Sequence, residues 1–205
     1  APKIFIRSFL LVTFTSIILY LLLSNLVPCE FVTLFPEQFR IKINIKIIKY
    51  FMNNLYLNIY NNLIKLTRNK TLYSGKNQDT FYDRIIIFFF HLSFLLKTYK
   101  NIEEKDKLQK FFDFCVRQIE LSVREIGYGD ATINKKMKEY VNLLFSIIDK
   151  INSWEEFDDI KKREIINIYI EESIDFKNFI DYFEKYRKFL LKNTFNNLSK
   201  DILTL

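Results

Sequence analysis

Between residues 108 and 140 apolar side chains recur every three or four positions, stop, and then start again. Leu108, Phe111, Phe112, Cys115, Val116, Ile119, Val123 and Ile126 share one helix face. Gly127 follows the last of them, where a residue free to turn left-handed ends a helix, and Gly129 offers a second permissive position. Asp130 or Thr132 is expected to cap the next helix, whose own face is Ile133, Met137, Tyr140, Val141, Leu144 and Ile148. The stretch therefore reads as helix, sharp corner, helix.

The same periodicity runs through most of the chain. Residues 54–66 predict a helix with Leu55, Ile59, Leu63 and Leu66 inward, and Asp79 or Thr80 caps another that begins TFYDR. From residue 85 to 96 that second helix is apolar almost all round, too short to span a bilayer but suited to the centre of a bundle. The charged run 101–107, with Glu103, Glu104 and Asp106, precedes the helix that leads to the corner and suits its positive N-terminal end. SWEE at 153–156 matches a capping box, so a helix is expected from Trp154, burying Phe157, Ile160, Ile165, Ile168 and Tyr169. Ser173 or Asp175 opens a last helix bearing Phe176, Phe179, Ile180, Phe183, Tyr186 and Leu190, with a frayed tail to Leu205. The expected fold is all-α, a bundle of six or seven helices over residues 52–205.

Residues 1–51 differ in kind. Residues 8–27 carry no charge and have about the 20 residues a helix needs to cross a bilayer. Two readings stand level, a transmembrane anchor and a chain whose start is Met52, with a cleaved signal as a third. Residues 35–50 then mix basic and apolar side chains, with Arg40, Lys42, Lys46 and Lys49 suited to anionic headgroups.

Composition narrows the function. The chain holds only three glycines and three prolines, the prolines all within the first 36 residues, so a strand-rich fold would lack its turns. Of the net charge of +7, four units fall in residues 1–51 (six basic, two acidic), leaving a mildly basic remainder. Cys29 and Cys115 do not make a disulfide framework. GYGDAT begins like a dinucleotide fingerprint but follows a helix and lacks the third glycine. With no phosphate loop, nucleophile elbow or paired-cysteine metal site, and a single histidine, His91, inside the apolar helix, neither an enzyme nor a metal or other cofactor is expected.

One feature resists a purely structural account. Lys135, Lys136 and Lys138 stand in the first turns of their helix, where the dipole favours acids. They are either a solvated basic face or, with the helix-terminal amides, a site for phosphate or carboxylate groups of a partner. A DNA-binding helix-turn-helix is the alternative of another class, opposed by Ile133, Met137, Val141 and Leu144, which call for burial rather than groove contact. A membrane-anchored scaffold is a third.

The corner also carries a resemblance. VREIGYGDATINKKMK, residues 123–138, is similar to the run LREMGVGDLSVGKRVKKM of the ubiquinol-cytochrome c chaperone family, assembly factors for the cytochrome bc complex. Arg124, Glu125, Gly127, Gly129, Asp130, Lys135 and Lys138 fall on similar positions, and Glu120 stands for an aspartate. Tyr128 and Asn134 depart from the pattern. Upstream, Tyr60, Arg68, Tyr73, Asp79, Thr80 and Arg84 are further matching points, and HLSFLL from His91 resembles the histidine-containing core helix. The resemblance implies a non-enzymatic chaperone that binds newly made cytochrome b and supports assembly of ubiquinol-cytochrome c reductase. It implies work near the ribosome exit with a small co-chaperone, at the inner membrane surface: the matrix side in mitochondria, the cytoplasmic side in a bacterium. No DNA is expected. Arg124, Tyr128, Asp130, Lys135, Lys136 and Lys138 are the candidate partner contacts; Asp79, Arg84, His91, Gly127 and Gly129 are candidate core or motif positions.

Overall fold

The computed structural model describes residues 37–73, 80–102, 105–170 and 175–200, with side chains from Tyr50 onward. Over these residues the protein is all-α. It has six α-helices: α1 Glu37–Thr67, α2 Phe81–Tyr99, α3 Lys105–Glu125, α4 Asp130–Ile151, α5 Asp159–Asn167 and α6 Phe176–Lys192. Three 3-10 turns, Lys70–Tyr73, Trp154–Glu156 and Phe195–Ser199, fill the connections. The expected anchor at 8–27 and the candidate Asp79 lie outside the described residues. No described helix is long and apolar enough to cross a membrane. The chain divides into two units, Ala1–Phe51 and Met52–Leu205; everything below concerns the second.

Helix α2 is the centre of the bundle because it has no polar face to give to water. Every residue from 85 to 95 is buried, and α4 and α6 pack on it. Its start is sharply defined. The Thr80 hydroxyl accepts from the Asp83 N–H at 3.2 Å, and the Asp83 carboxylate accepts from the Thr80 N–H at 3.0 Å, a reciprocal cap that satisfies two otherwise orphaned amides. The α2–α6 contact is a cluster of rings in which Phe94 stacks on Phe183 at 5.3 Å and Trp154 meets Phe94 edge-on at 5.3 Å. Helix α1 presents Tyr56, Ile59, Leu63 and Leu66, spaced by three and four, to the same core.

His91 sits within this cluster with no exposure. Its Nδ1 lies 2.8 Å from the Ile87 carbonyl, which can only accept, so Nδ1 carries the proton. Burial keeps the ring neutral, so Nε2, 2.9 Å from the Tyr182 hydroxyl, accepts from that hydroxyl. Burial drives the His91 pKa down to about 4 against the partial support of the Ile87 carbonyl. The lone histidine is thus a joint between α2 and α6.

Three expectations fail after the corner. SWEE forms a single 3-10 turn, and the Ser153 side chain caps nothing. The helix starts at Asp159 instead, where the Asp158 carboxylate accepts from the Lys161 N–H at 2.8 Å. Shifting the start to residue 159 rotates the face. Ile160 and Ile168 are 71% and 61% exposed, while Ile165 and Ile166 are buried with Lys162. Lys162 is accommodated because its Nζ meets the Glu184 carboxylate at 2.9 Å and lies over the Trp154 ring. The last discrepancy is in the expected frayed tail, whose described part makes the turn Phe195–Ser199 and buries Phe195 and Leu198, while residues 201–205 lie outside the described residues.

A polar network ties the far end of α2 to α6. Lys97 donates to the Ile151 carbonyl at 3.1 Å, satisfying the last turn of α4, and pairs with Glu155. Arg187 joins Glu155 and Glu184 at 3.4 and 3.3 Å, and the Trp154 Nε1 donates to Glu184 at 2.9 Å. Burial pushes the Glu184 carboxyl up, but Lys162, Trp154 and Arg187 outweigh it and hold it below the ordinary range.

Candidate functional site

The corner between α3 and α4 is made by one backbone position. Gly127 has φ of 97°, a region open to glycine and strained for other residues, and its N–H donates to the Arg124 carbonyl at 2.9 Å. Gly129 has an ordinary extended conformation, φ −71° and ψ 155°, and acts as the N-cap of α4. Its carbonyl accepts from the Thr132 and Ile133 N–H groups at 2.9 and 3.0 Å. The second permissive position that Gly129 offers is therefore not used for a left-handed turn, and a Cβ there would meet open space. The expected cap is corrected. Neither Asp130 nor Thr132 caps the helix, because Asp130 is already its first residue and its carboxylate is engaged elsewhere.

That engagement is with Arg124. The guanidinium donates through Nε and Nη2 to Glu120 Oε1 at 2.9 and 2.7 Å, and through Nη1 to Asp130 Oδ1 at 2.6 Å. One side chain thus links the last turn of α3 to the first residue of α4. The signs also suit both dipoles, a cation at a C-terminus and an anion at an N-terminus. Glu120 and Asp130 raise the Arg124 pKa through these hydrogen bonds. The group is solvent-exposed, so the triad sets geometry more than stability.

Beyond the triad the corner is open. Lys135 and Lys138 are exposed and form no ion pair among the described residues, while Lys136 is half-buried and pairs with Glu139 at 3.7 Å. Tyr128 is exposed. Ile126, expected on the apolar face of α3, is 50% exposed, because α3 ends at Glu125 and the helical period no longer aims the next side chain inward. Burial, helped by the phenols of Tyr128 and Tyr82, pushes the Tyr140 hydroxyl up. The buried face of α4, with Ile133, Tyr140 and Leu144, belongs to the core.

The site residues do not all converge here. Arg124 and Asp130 meet; His91 is in the core, and Arg84 lines a separate cleft of about 160 Å³ between α1, α2 and α3. Tyr60, Ile64 and Arg68 form one side of it, Arg84 and Phe88 another, and Ile119 the floor-forming helix α3. Burial, reinforced by the neighbouring Cys115 thiol, pushes the Tyr60 hydroxyl up to about 12, partly offset by its hydrogen bond with Ser122. Among the described residues no group of three His, Cys, Asp or Glu side chains is placed to hold a metal ion.

Comparison with known proteins gives one result. No curated protein and no solved structure matches the chain significantly. The family model described as ubiquinol-cytochrome C chaperone matches residues 74–160, a span that contains α2, α3, the corner and α4. Over residues 74–160 the chain is therefore similar to the ubiquinol-cytochrome C chaperone family, a family tied to the assembly of respiratory complex III and generally non-enzymatic.

Proposed function

We propose that this protein is a non-enzymatic assembly chaperone whose client is newly made cytochrome b on its way into ubiquinol-cytochrome c reductase. The observation that carries the reading is the family match over residues 74–160. It is supported by the chemistry of the corner inside that span, an exposed surface of Ile126, Tyr128, Lys135 and Lys138 held in shape by the Arg124 triad. Lysines without an ion pair among the described residues, beside exposed apolar side chains, suit a partner that offers both greasy and anionic groups, as a nascent membrane protein beside ribosomal RNA or a lipid headgroup does. The proposed place of work is the inner membrane surface near the ribosome exit: the matrix side in mitochondria, or the cytoplasmic side in a bacterium. A small co-chaperone is a proposed further partner.

The test is genetic and local. Deleting the gene is expected to lower assembled complex III, and normal complex and haem b levels would overturn the proposal. Lys135→Glu combined with Lys138→Glu is expected to reduce crosslinking to cytochrome b or the ribosome in native membranes. Both side chains are exposed, so thermal unfolding is expected to stay within about 0.5 kcal/mol of the parent. Undiminished crosslinking would remove the corner from the docking surface.

A further inference from the structure

We propose that the cleft between α1, α2 and α3 is a second docking site, which takes one large apolar side chain of an acidic protein segment and sets a neighbouring carboxylate of that segment beside Arg68. The proposal concerns a surface apart from the corner lysines and does not depend on the identity of the client.

Size decides the apolar part of the occupant. The cleft holds about 160 Å³, and its walls are Tyr60, Ile64, Ile85, Phe88 and Ile119. A cavity of about 150 Å³ with such a lining takes up a benzene-sized molecule. That is the scale of one phenylalanine or leucine side chain, and it is too small for a phospholipid acyl chain. The walls are also firm: Phe88 and Ile85 belong to the fully buried stretch of α2, and Tyr60 is wedged edge-on against Phe88 at 5.5 Å and Phe114 at 6.2 Å. A preformed slot of this kind receives an anchor residue without first ordering its own walls.

Charge decides the rest. Arg68 and Arg84 both line the cleft, and among the described residues no carboxylate does. Glu125 is felt by the Tyr60 hydroxyl but lies outside the lining. Arg68 is exposed and forms no ion pair among the described residues, yet its backbone is held, its N–H donating to the Lys65 carbonyl at 3.1 Å just past the end of α1. Arg84 stands in the first turn of α2, where the dipole favours an acid over a cation. The exposed Arg68 guanidinium at an apolar slot matches a carboxylate next to an apolar side chain. Exposed Phe81 widens the lip and extends the apolar contact. An anionic headgroup would use Arg68 but leave the slot empty, which is why a protein segment is favoured.

The experiment uses the full chain in zwitterionic nanodiscs and fluorescence anisotropy. The probes are short dye-labelled peptides: one with phenylalanine and leucine flanked by glutamates, one with the same centre flanked by lysines, and one with an alanine centre flanked by glutamates. The first is expected to bind and the other two to bind far more weakly. Arg68→Glu reverses the charge at an exposed position, and Ile64→Trp fills the slot; each is expected to weaken binding of the first peptide about tenfold or more, equivalent to about 1.4 kcal/mol. Because Arg68 is exposed, its variant keeps the test valid if Ile64→Trp does not fold. Lack of peptide binding, or equal binding by parent and Arg68→Glu, overturns the proposal. So does Arg68-dependent binding to phosphatidylserine nanodiscs with no peptide binding, which would assign the cleft to lipid.

Discussion

Ser93 lies in the middle of α2 with no exposure, and its hydroxyl has no hydrogen-bond partner among the described residues. A buried unpaired hydroxyl costs roughly 1–3 kcal/mol relative to one left in water, and alanine is also the better helix former. Ser93→Ala is therefore expected to raise the unfolding free energy by about 1 kcal/mol in urea denaturation, with no change in denaturant sensitivity; a loss of stability would mean that the hydroxyl is paired in solution. Two other buried polar side chains show the opposite condition. His91 uses both ring nitrogens, and the Asn62 amide donates to the carbonyls of Leu198 and Lys200 at 2.9 and 2.8 Å, tying α1 to the C-terminal turn. Burial of a polar group here goes with pairing, and Ser93 is the exception.

At the scale of elements, the corner separates two glycines that look alike in sequence. Gly127→Ala puts a Cβ on a left-handed backbone and is expected to cost about 1–2 kcal/mol. Gly129→Ser keeps an ordinary backbone, meets open space and supplies the side-chain cap that α4 lacks, so it is expected to be neutral or stabilising by a few tenths, about 0.3 kcal/mol. Thermal unfolding of the two variants side by side checks the assignment. Equal effects would show that the turn does not rest on Gly127. The same element-level reasoning explains why helix periodicity overreached at both ends of the corner. It placed Ile126 inside a helix that had already stopped, and it started α5 about one turn early at a capping-box pattern whose tryptophan is needed as a core side chain.

For the molecule as a whole, the consequence of burying neutral His91 is a stability that depends on pH. The native pKa of about 4 lies below the ordinary 6.5, so the unfolded chain takes up the proton first as pH falls. Stability is complete above pH 6.5 and declines between 6.5 and about 4, by roughly 3 kcal/mol in full. The carboxylates Glu155 and Glu184 act at lower pH. Their native pKa values are lowered, so the stability they contribute is present above the ordinary carboxylate pKa and is lost as pH falls through the native one. Urea unfolding at several pH values is expected to show both losses, and His91→Gln is expected to remove the upper one alone. A parent protein with flat stability between pH 6.5 and 4.5 would exclude the buried neutral imidazole.

The sequence by itself determined the class of fold, the all-round burial of α2, the break at Gly127 and the exposed lysines of α4, because each depends on neighbours three or four residues away or on one backbone angle. It also held the residues that resemble the ubiquinol-cytochrome C chaperone family, and the family match covers that same corner. Which side chains meet across the bundle was decided only by tertiary packing. Tyr60, Arg68 and Arg84 are separate letters until α1 and α2 lie side by side and make one cleft of them. Lys162 reads as a surface residue until Glu184 and Trp154 arrive from elsewhere in the chain. Periodicity reports which face a residue is on and nothing about what faces it, since that depends on how helices cross and on contacts between distant parts of the chain.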